Sequence, residues 1–226
     1  GEYSLYGLLF FIPISISLVE IFAALAVISF VGRKVIKPDF KFVKFWPNAF
    51  LLLLLFFSAV SLLNSGKHLN ISLHALFGKW TQYLGICIII QDDLYNNKVI
   101  KRGMFVFLFS ASLIIFSGLS QYFFGYEFLR NKSMTIMDCG MRAMTSSFVH
   151  YNSFGGYLVV VLSLVIALLL ADNSFGSKAI GLLIFSIFSI MAIMLTFSRG
   201  SWTALAGSFI FMSILARKNL KWLILV

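Results

Sequence analysis

Long apolar runs separated by short polar loops dominate the hydropathy pattern of this chain. Each run is close to the roughly 20 residues that an α-helix needs to cross the hydrocarbon core of a bilayer. Seven runs are predicted to be membrane-spanning helices: Leu5–Val31, Phe45–Leu63, Ile71–Ile90, Gly103–Phe124, Tyr151–Leu170, Ala179–Phe197 and Ser201–Ala216. An eighth begins at Leu220. The pattern predicts an all-α, polytopic transmembrane helix bundle with about 7–8 spans, in a single domain covering residues 1–226.

Basic residues are concentrated in alternate loops. Most of the 18 Lys and Arg residues lie in the loops of residues 32–44, 91–102, 171–178 and 217–221. Because cytoplasmic loops carry an excess of Lys and Arg, we expect these four loops to face the cytoplasm. Gly1, the loop of residues 125–150 and Arg199 would then lie on the extracytoplasmic side of the cytoplasmic membrane.

Composition restricts the function classes. The chain is 60% hydrophobic and 12% charged, whereas a typical soluble domain has about 25% charged residues. The net charge of +10 is explained by the basic loops, so we expect membrane lipids as partners and no nucleic acid. Two cysteines, Cys87 and Cys139, are too few for a disulfide framework or a metal cluster. The sequence also has no Gly-rich phosphate loop, metal-ligand spacing or nucleophile elbow, so no cofactor or metal is predicted.

Arg199 stands alone between the last two predicted spans. An arginine at the centre of a membrane helix costs about 2.5–3.5 kcal/mol on insertion scales, and less near the interface. Such a residue therefore usually faces a partner, and its planar fork suits a carboxylate or a phosphate. No acidic residue lies between Asp172 and Val226. The sequence therefore favours an external anion, with anchoring at lipid phosphates as the alternative.

Polar residues also precede the fifth predicted span. Thr145, Ser146, Ser147 and Ser153 can each cap a helix N-terminus. We expect the first turn of this helix to present free N–H groups and a positive dipole end, with Arg142 and His150 nearby, as a phosphate site. The alternative is a capped helix start with polar residues at the level of the lipid headgroups.

Two features lie inside the predicted spans. Glu20 is mid-span in the first run, and an intramembrane carboxylate is a functional candidate by default. The third span carries a polar face formed by His74, Gly78, Thr81, Gln82 and Gly85. We expect this face to line a cavity or to form hydrogen bonds with a neighbouring helix.

Two short motifs carry a family resemblance. The first runs from Arg142 through Ser147-Phe-Val-His150-Tyr-Asn152 to Gly155-Gly-Tyr157, and the second is Thr196-Phe-Ser198-Arg199-Gly200. Together, in this order and on this side, they resemble O-antigen ligases and related polysaccharide polymerases. The resemblance extends from the fourth span to the end of the chain. It departs from the family at His150-Tyr151, where a small residue and proline usually precede the asparagine.

The resemblance implies a membrane glycosyltransferase of surface polysaccharide or lipopolysaccharide biosynthesis, acting without a metal or a nucleotide sugar. Its donor would be a polyprenyl-diphosphate-linked glycan, and its acceptor a lipid, a glycan or a protein on the outer face of the membrane. Arg199 and Arg142 would bind the diphosphate as catalytic residues, while His150, Asn152, Ser198 and Ser147 would contact substrate. The family's large outer loop, with a histidine base, and its last spans would follow Val226, so this chain would hold half of an active site.

Two other functions fit the same residues. A transporter or flippase of lipid-linked glycans would bind the same anion, but it would need paired polar residues at mid-membrane depth. A non-catalytic assembly subunit would use Arg199 only as a headgroup anchor.

Overall fold

The computed structural model describes residues 2–36, 46–62, 66, 69–74, 76, 81–93, 97–136, 140–171 and 176–215. Within these residues the chain is almost entirely helical: α1 (Glu2–Phe11), α2 (Ile16–Ile36), α3 (Trp46–Ser61), α4 (Leu69–His74), α5 (Thr81–Asp93), α6 (Asn97–Phe124), α7 (Tyr151–Ala171), α8 (Ser177–Leu195) and α9 (Arg199–Leu215). Two short strands, β1 (Thr135–Ile136) and β2 (Arg142–Ala143), pair antiparallel between α6 and α7. The chain divides into two compact units, Gly1–Val106 and Phe107–Val226.

Four helices in the described part of the chain are long and apolar enough to cross a membrane: Ile16–Ile36, Asn97–Phe124, Tyr151–Leu170 and Ser177–Leu195. This agrees with an all-helical membrane protein. It does not confirm 7–8 spans, because α3 has only a short apolar stretch and α9 has 17 residues. The eighth span predicted at Leu220 lies outside the described residues.

The prediction of one continuous first span, Leu5–Val31, is wrong. The chain turns after Phe11, and α2 begins at Ile16. Pro13 lies in this turn, where its missing N–H costs no helical hydrogen bond. The N–H groups of Ile14 and Ser15 both donate to the Phe11 carbonyl, at 2.9 and 3.0 Å.

The helices α1 and α2 pack against each other as a hairpin. The rings of Phe11 and Phe22 stack with centroids 5.4 Å apart. A side chain at Gly7 would collide with the Phe22 ring, so the close approach depends on this glycine. Further from the turn, Leu5 and Ala26 are buried together in one apolar cluster with Ile89 of α5, as in an antiparallel pair.

The second unit is organised around α7, which packs against both α8 and α9. Val165, Leu169 and Ala179 form a buried apolar cluster between α7 and α8. Near the other end of α7, Gly155 lies against Ser201 in the first turn of α9. The N-termini of α7 and α9 therefore lie side by side. α8, which lies between these two helices in the sequence, runs in the opposite direction.

The sequence places the later helices within a few residues of their observed bounds. The fifth span was predicted at Tyr151–Leu170, and α7 is Tyr151–Ala171. The next two spans each begin and end one or two residues earlier than predicted. The end of α8 and the start of α9 are set locally, because the turn between them starts at Thr196 and Ser198 caps α9.

Candidate functional site

The turn that leads into α9 is built by its own hydroxyl groups. The Thr196 hydroxyl donates to the Ile193 carbonyl at 2.7 Å and accepts the N–H of Ser198 at 3.3 Å. Phe197 between them has φ +54°, in the left-handed region that residues other than glycine rarely adopt. This conformation reverses the chain within three residues.

Ser198 is the N-cap of α9. Its Oγ accepts the N–H of Ser201 at 3.3 Å and the hydroxyl of Ser201 at 2.9 Å. Its carbonyl accepts the N–H of Trp202 at 3.1 Å. Serine is a preferred residue at this position because its oxygen satisfies an N–H that the helix cannot. The Ser198 side chain is 2% exposed, so its hydroxyl serves the helix.

Arg199 and Gly200 form the exposed start of α9. Within the described part of the chain, neither backbone N–H has a hydrogen-bond acceptor, and the Arg199 guanidinium has no carboxylate partner. The first turn of a helix also carries about half a positive charge from the aligned peptide dipoles. Two free N–H groups and a guanidinium at one helix end are suited to binding an anion.

The start of α7 is different, because His150 satisfies the N–H groups of three residues there that were expected to be free. The Nδ1 atom of His150 accepts the N–H of Asn152 at 3.2 Å. The His150 carbonyl accepts the N–H groups of Ser153 and Phe154, at 3.1 and 3.2 Å. His150 therefore caps α7 in place of the serines and threonine that the sequence suggested.

The segment of residues 142–147 packs against the second half of α6 and bonds to the end of α8. The N–H of Met144 donates to the carbonyl of Leu195, the last residue of α8, at 3.1 Å. Arg142 stands two residues earlier in β2 and is exposed, whereas Thr145 and Ser146 are buried. The segment therefore brings the backbone of Arg142 close to the turn that precedes Arg199.

A buried carboxylate organises the adjoining loop. Glu127 is 0% exposed, and its Oε1 accepts the Ser117 hydroxyl at 2.5 Å. The backbone N–H groups of Leu129, Arg130 and Lys132 also donate to this carboxylate. Burial raises the pKa of Glu127, but these hydrogen bonds together outweigh burial, so its pKa is lower than the ordinary carboxyl value.

Two basic side chains of the same loop donate to backbone carbonyls. Arg130 Nη1 lies 3.2 Å from the Ser147 oxygen. Lys132 Nζ lies 3.5 Å from the same oxygen and 3.4 Å from the Phe148 oxygen. These contacts join the loop of residues 126–132 to the segment that leads into α7.

An open apolar groove of about 610 Å³ runs between α6 and α8. Its lining is mostly aromatic or aliphatic, with two serines and one glycine. The lining residues are Ser112, Ile115, Phe116, Leu119, Ser120, Phe123, Phe124, Gly181, Ile184, Phe185, Phe188 and Met191. The groove extends along α6 from Ser112 to Phe124, a rise of about 18 Å. It is suited to hydrocarbon.

The predicted site residues fall into two groups. Arg199 is exposed at the start of α9, His150 and Asn152 are exposed at the start of α7, and Arg142 is exposed in β2. Ser198 and Ser147 are buried, at 2% and 1% exposure. Substrate contact by any of these residues stays a prediction, and for the two serines it would require the buried surface to open.

Most of the polar face predicted in the third span falls in a part of the chain that the structure does not describe. The side chains of His74, Gln82 and Thr81 in the third predicted span are outside the described residues, as is Gly78. Among the residues that the structure describes, no group of three or more His, Cys, Asp and Glu side chains could hold a metal ion.

Sequence reasoning missed Gln121, Glu127 and Ser117. A signal existed in the spacing of polar residues along an otherwise apolar helix. Ser117 follows Ser110 by seven residues and Gln121 follows Ser117 by four, which places all three on one face. All three side chains are fully buried.

No protein-family model, no curated protein and no solved structure matches this chain.

Proposed function

We propose that this protein is a membrane glycosyltransferase that moves a glycan from a polyprenyl-diphosphate carrier to an acceptor. The acceptor is a lipid, a glycan or a protein at the extracytoplasmic face of the cytoplasmic membrane, which the protein crosses several times. The two motifs around Arg142 and Arg199 that resemble O-antigen ligases give the reaction class.

The start of α9 carries the proposal. Arg199 offers a rigid, permanently charged fork, and the N–H groups of Arg199 and Gly200 have no acceptor among the described residues. Both kinds of donor suit phosphate oxygens. The hydrogen bond from the Met144 N–H to the Leu195 carbonyl holds the segment that contains Arg142 at the end of α8. This bond supports Arg142 as a second cation at the same diphosphate.

The chemistry requires stabilisation of a leaving group. As the bond between the sugar C1 and the diphosphate oxygen breaks, negative charge accumulates on the diphosphate. Donors fixed in place before the reaction stabilise this charge more in the transition state than in the ground state, which lowers the barrier. In this proposal Arg199 and the first turn of α9 supply these donors.

The carrier lipid also needs an apolar path. The groove between α6 and α8 has an apolar lining rich in phenylalanine, and Met191 at one end of it is four residues from the end of α8. A polyprenyl chain in this groove would extend into the membrane from the level of the α8–α9 turn.

Replacement of Arg199 in the full-length protein tests the proposal. Arg199→Lys keeps the charge but loses the two-pronged geometry, so we expect about 10²–10³-fold lower transfer, as for loss of a transition-state donor. The assay reconstitutes purified protein in vesicles with a labelled lipid-linked glycan and measures transfer to an added acceptor.

The matched control is Arg33→Lys, which changes an exposed arginine at the end of α2 and should leave transfer unchanged. Wild-type rates in both Arg199→Lys and Arg199→Ala would remove Arg199 from catalysis. Movement of the labelled lipid across the vesicle membrane without transfer would identify a transporter instead.

A further inference from the structure

Gln121 of α6 uses every hydrogen-bonding position of its side-chain amide. Its Oε1 accepts the N–H groups of Thr145 and Ser146, at 3.1 and 2.9 Å. Its Nε2 donates to the Lys132 carbonyl at 3.1 Å and to the Thr145 hydroxyl at 3.3 Å. An amide has two acceptor lone pairs and two N–H donors, so this buried side chain is fully satisfied by Lys132, 11 residues away, and by residues 145 and 146.

The backbone at the receiving end is in an unusual conformation. Ser146 has φ +49°, which a residue other than glycine keeps only when its surroundings hold it there. Besides the bond to Gln121, the Ser146 hydroxyl donates to the Ile114 carbonyl of α6 at 2.9 Å. Gly118 allows this approach, because a Cβ there would lie 3.1 Å from Met144 Sδ and 3.3 Å from Ser146 Cβ.

The same segment is held at α8 by the bond from the Met144 N–H to the Leu195 carbonyl. Arg142 precedes Met144 by two residues of extended chain, about 7 Å. Arg199 follows Leu195 by four residues. The segment is therefore fixed to α6 on one side and to the end of α8 on the other, with Arg142 just beyond the second attachment.

We infer that Gln121 is a positioning residue, whose amide holds residues 145 and 146 against α6 and thereby places Arg142 beside the Arg199 end of α9. The inference rests on the proposed function, because it concerns the second cation of the proposed diphosphate site. Gln121 itself does not contact the diphosphate.

The test measures binding of inorganic diphosphate to the full-length protein in detergent, by calorimetry, together with hydrogen exchange. Gln121→Met fills the same volume without hydrogen bonds, and Gln121→Glu keeps the acceptors for Thr145 and Ser146. The matched control is Ser117→Ala, because Ser117 is equally buried on the same face of α6 but bonds to Glu127 instead.

We expect Gln121→Met to lose exchange protection at Thr145 and Ser146 and to bind diphosphate about tenfold more weakly, a coupling typical of connected residues. Gln121→Glu should recover most of the binding, and Ser117→Ala should stay within about twofold of the wild type. In an Arg142→Ala background, Gln121→Met should cause no further loss, because Arg142 is then no longer there to be positioned.

The outcomes separate the two hypotheses. Absence of diphosphate binding in the wild-type protein would refute the proposed site at α9. Wild-type binding that Gln121→Met leaves unchanged would overturn the positioning role alone. So would a loss that is equally large with and without Arg142, since this would indicate a general effect on folding.

Discussion

The contact between α7 and α9 leads to a direct test of the fold, in which Gly155 is replaced by alanine. Its Cβ would collide with the Ser201 hydroxyl and would lie 3.2 Å from the Thr196 hydroxyl oxygen. Overpacking of this kind typically costs about 1–3 kcal/mol. Alanine also gains about 0.8–1.0 kcal/mol over glycine in a helix interior, which opposes the cost.

The neighbouring glycine separates the two effects. Gly156 is exposed, and a Cβ added there meets no atom of the described structure within 4 Å. Gly156→Ala should therefore show the helix gain alone. The difference in unfolding free energy between the two variants then isolates the packing term, which we expect to be about 1–3 kcal/mol.

The assay is reversible unfolding of the purified protein in mixed micelles, followed by circular dichroism. In the Gly155→Ala background, Ser201→Ala removes the nearest colliding atom and should recover part of the loss, so the two changes will not be additive. Equal stabilities of Gly155→Ala and Gly156→Ala would refute the contact between α7 and α9.

Three further predictions concern the loop of residues 126–132. Because hydrogen bonds lower the pKa of Glu127, exchange protection in this loop should persist as the pH falls to the ordinary carboxyl range and disappear only below it, as the folded-state carboxylate gains a proton. Glu127→Gln should reduce this protection at neutral pH and abolish its acid dependence, and an unchanged profile would contradict the role of the carboxylate. Asn131 has φ +50°, so Asn131→Val should destabilise the loop by about 1–2 kcal/mol in thermal unfolding, with Asn131→Gly as the neutral control.

The long apolar runs were predictable, because hydropathy and helix length are local properties of the sequence. α7 illustrates this, since its observed bounds, Tyr151–Ala171, differ from the prediction by one residue. The hairpin of α1 and α2 was not predicted, because residues on both sides of Pro13 are apolar and the only local signal was one proline. The hairpin is stabilised by packing of α1 against α2, and such a contact between two helices cannot be read from the local sequence.

The candidate site was predictable in part for the same reason. Arg199 was identified because it interrupts an apolar run, and the structure places it exposed at the first position of α9. The cap of α7 was not foreseen, since histidine is not among the preferred capping residues. The bonds of Gln121 to Thr145 and Ser146 join residues 24 and 25 positions apart, and they depend on the path of a loop that no short motif specifies.

The turn at Pro13 changes the electrostatic setting of Glu20. In one uninterrupted helix this acidic side chain would sit at the most apolar depth of the bilayer. With α2 beginning at Ile16, it stands four residues from the helix start, about 6 Å along the axis, and it is exposed. With the Pro13 turn at the level of the headgroups, Glu20 would lie about one helical turn below them, where a charge costs less than at the bilayer centre. Neither an ion-pair partner nor a part in proton transfer is then needed for Glu20 to be tolerated there.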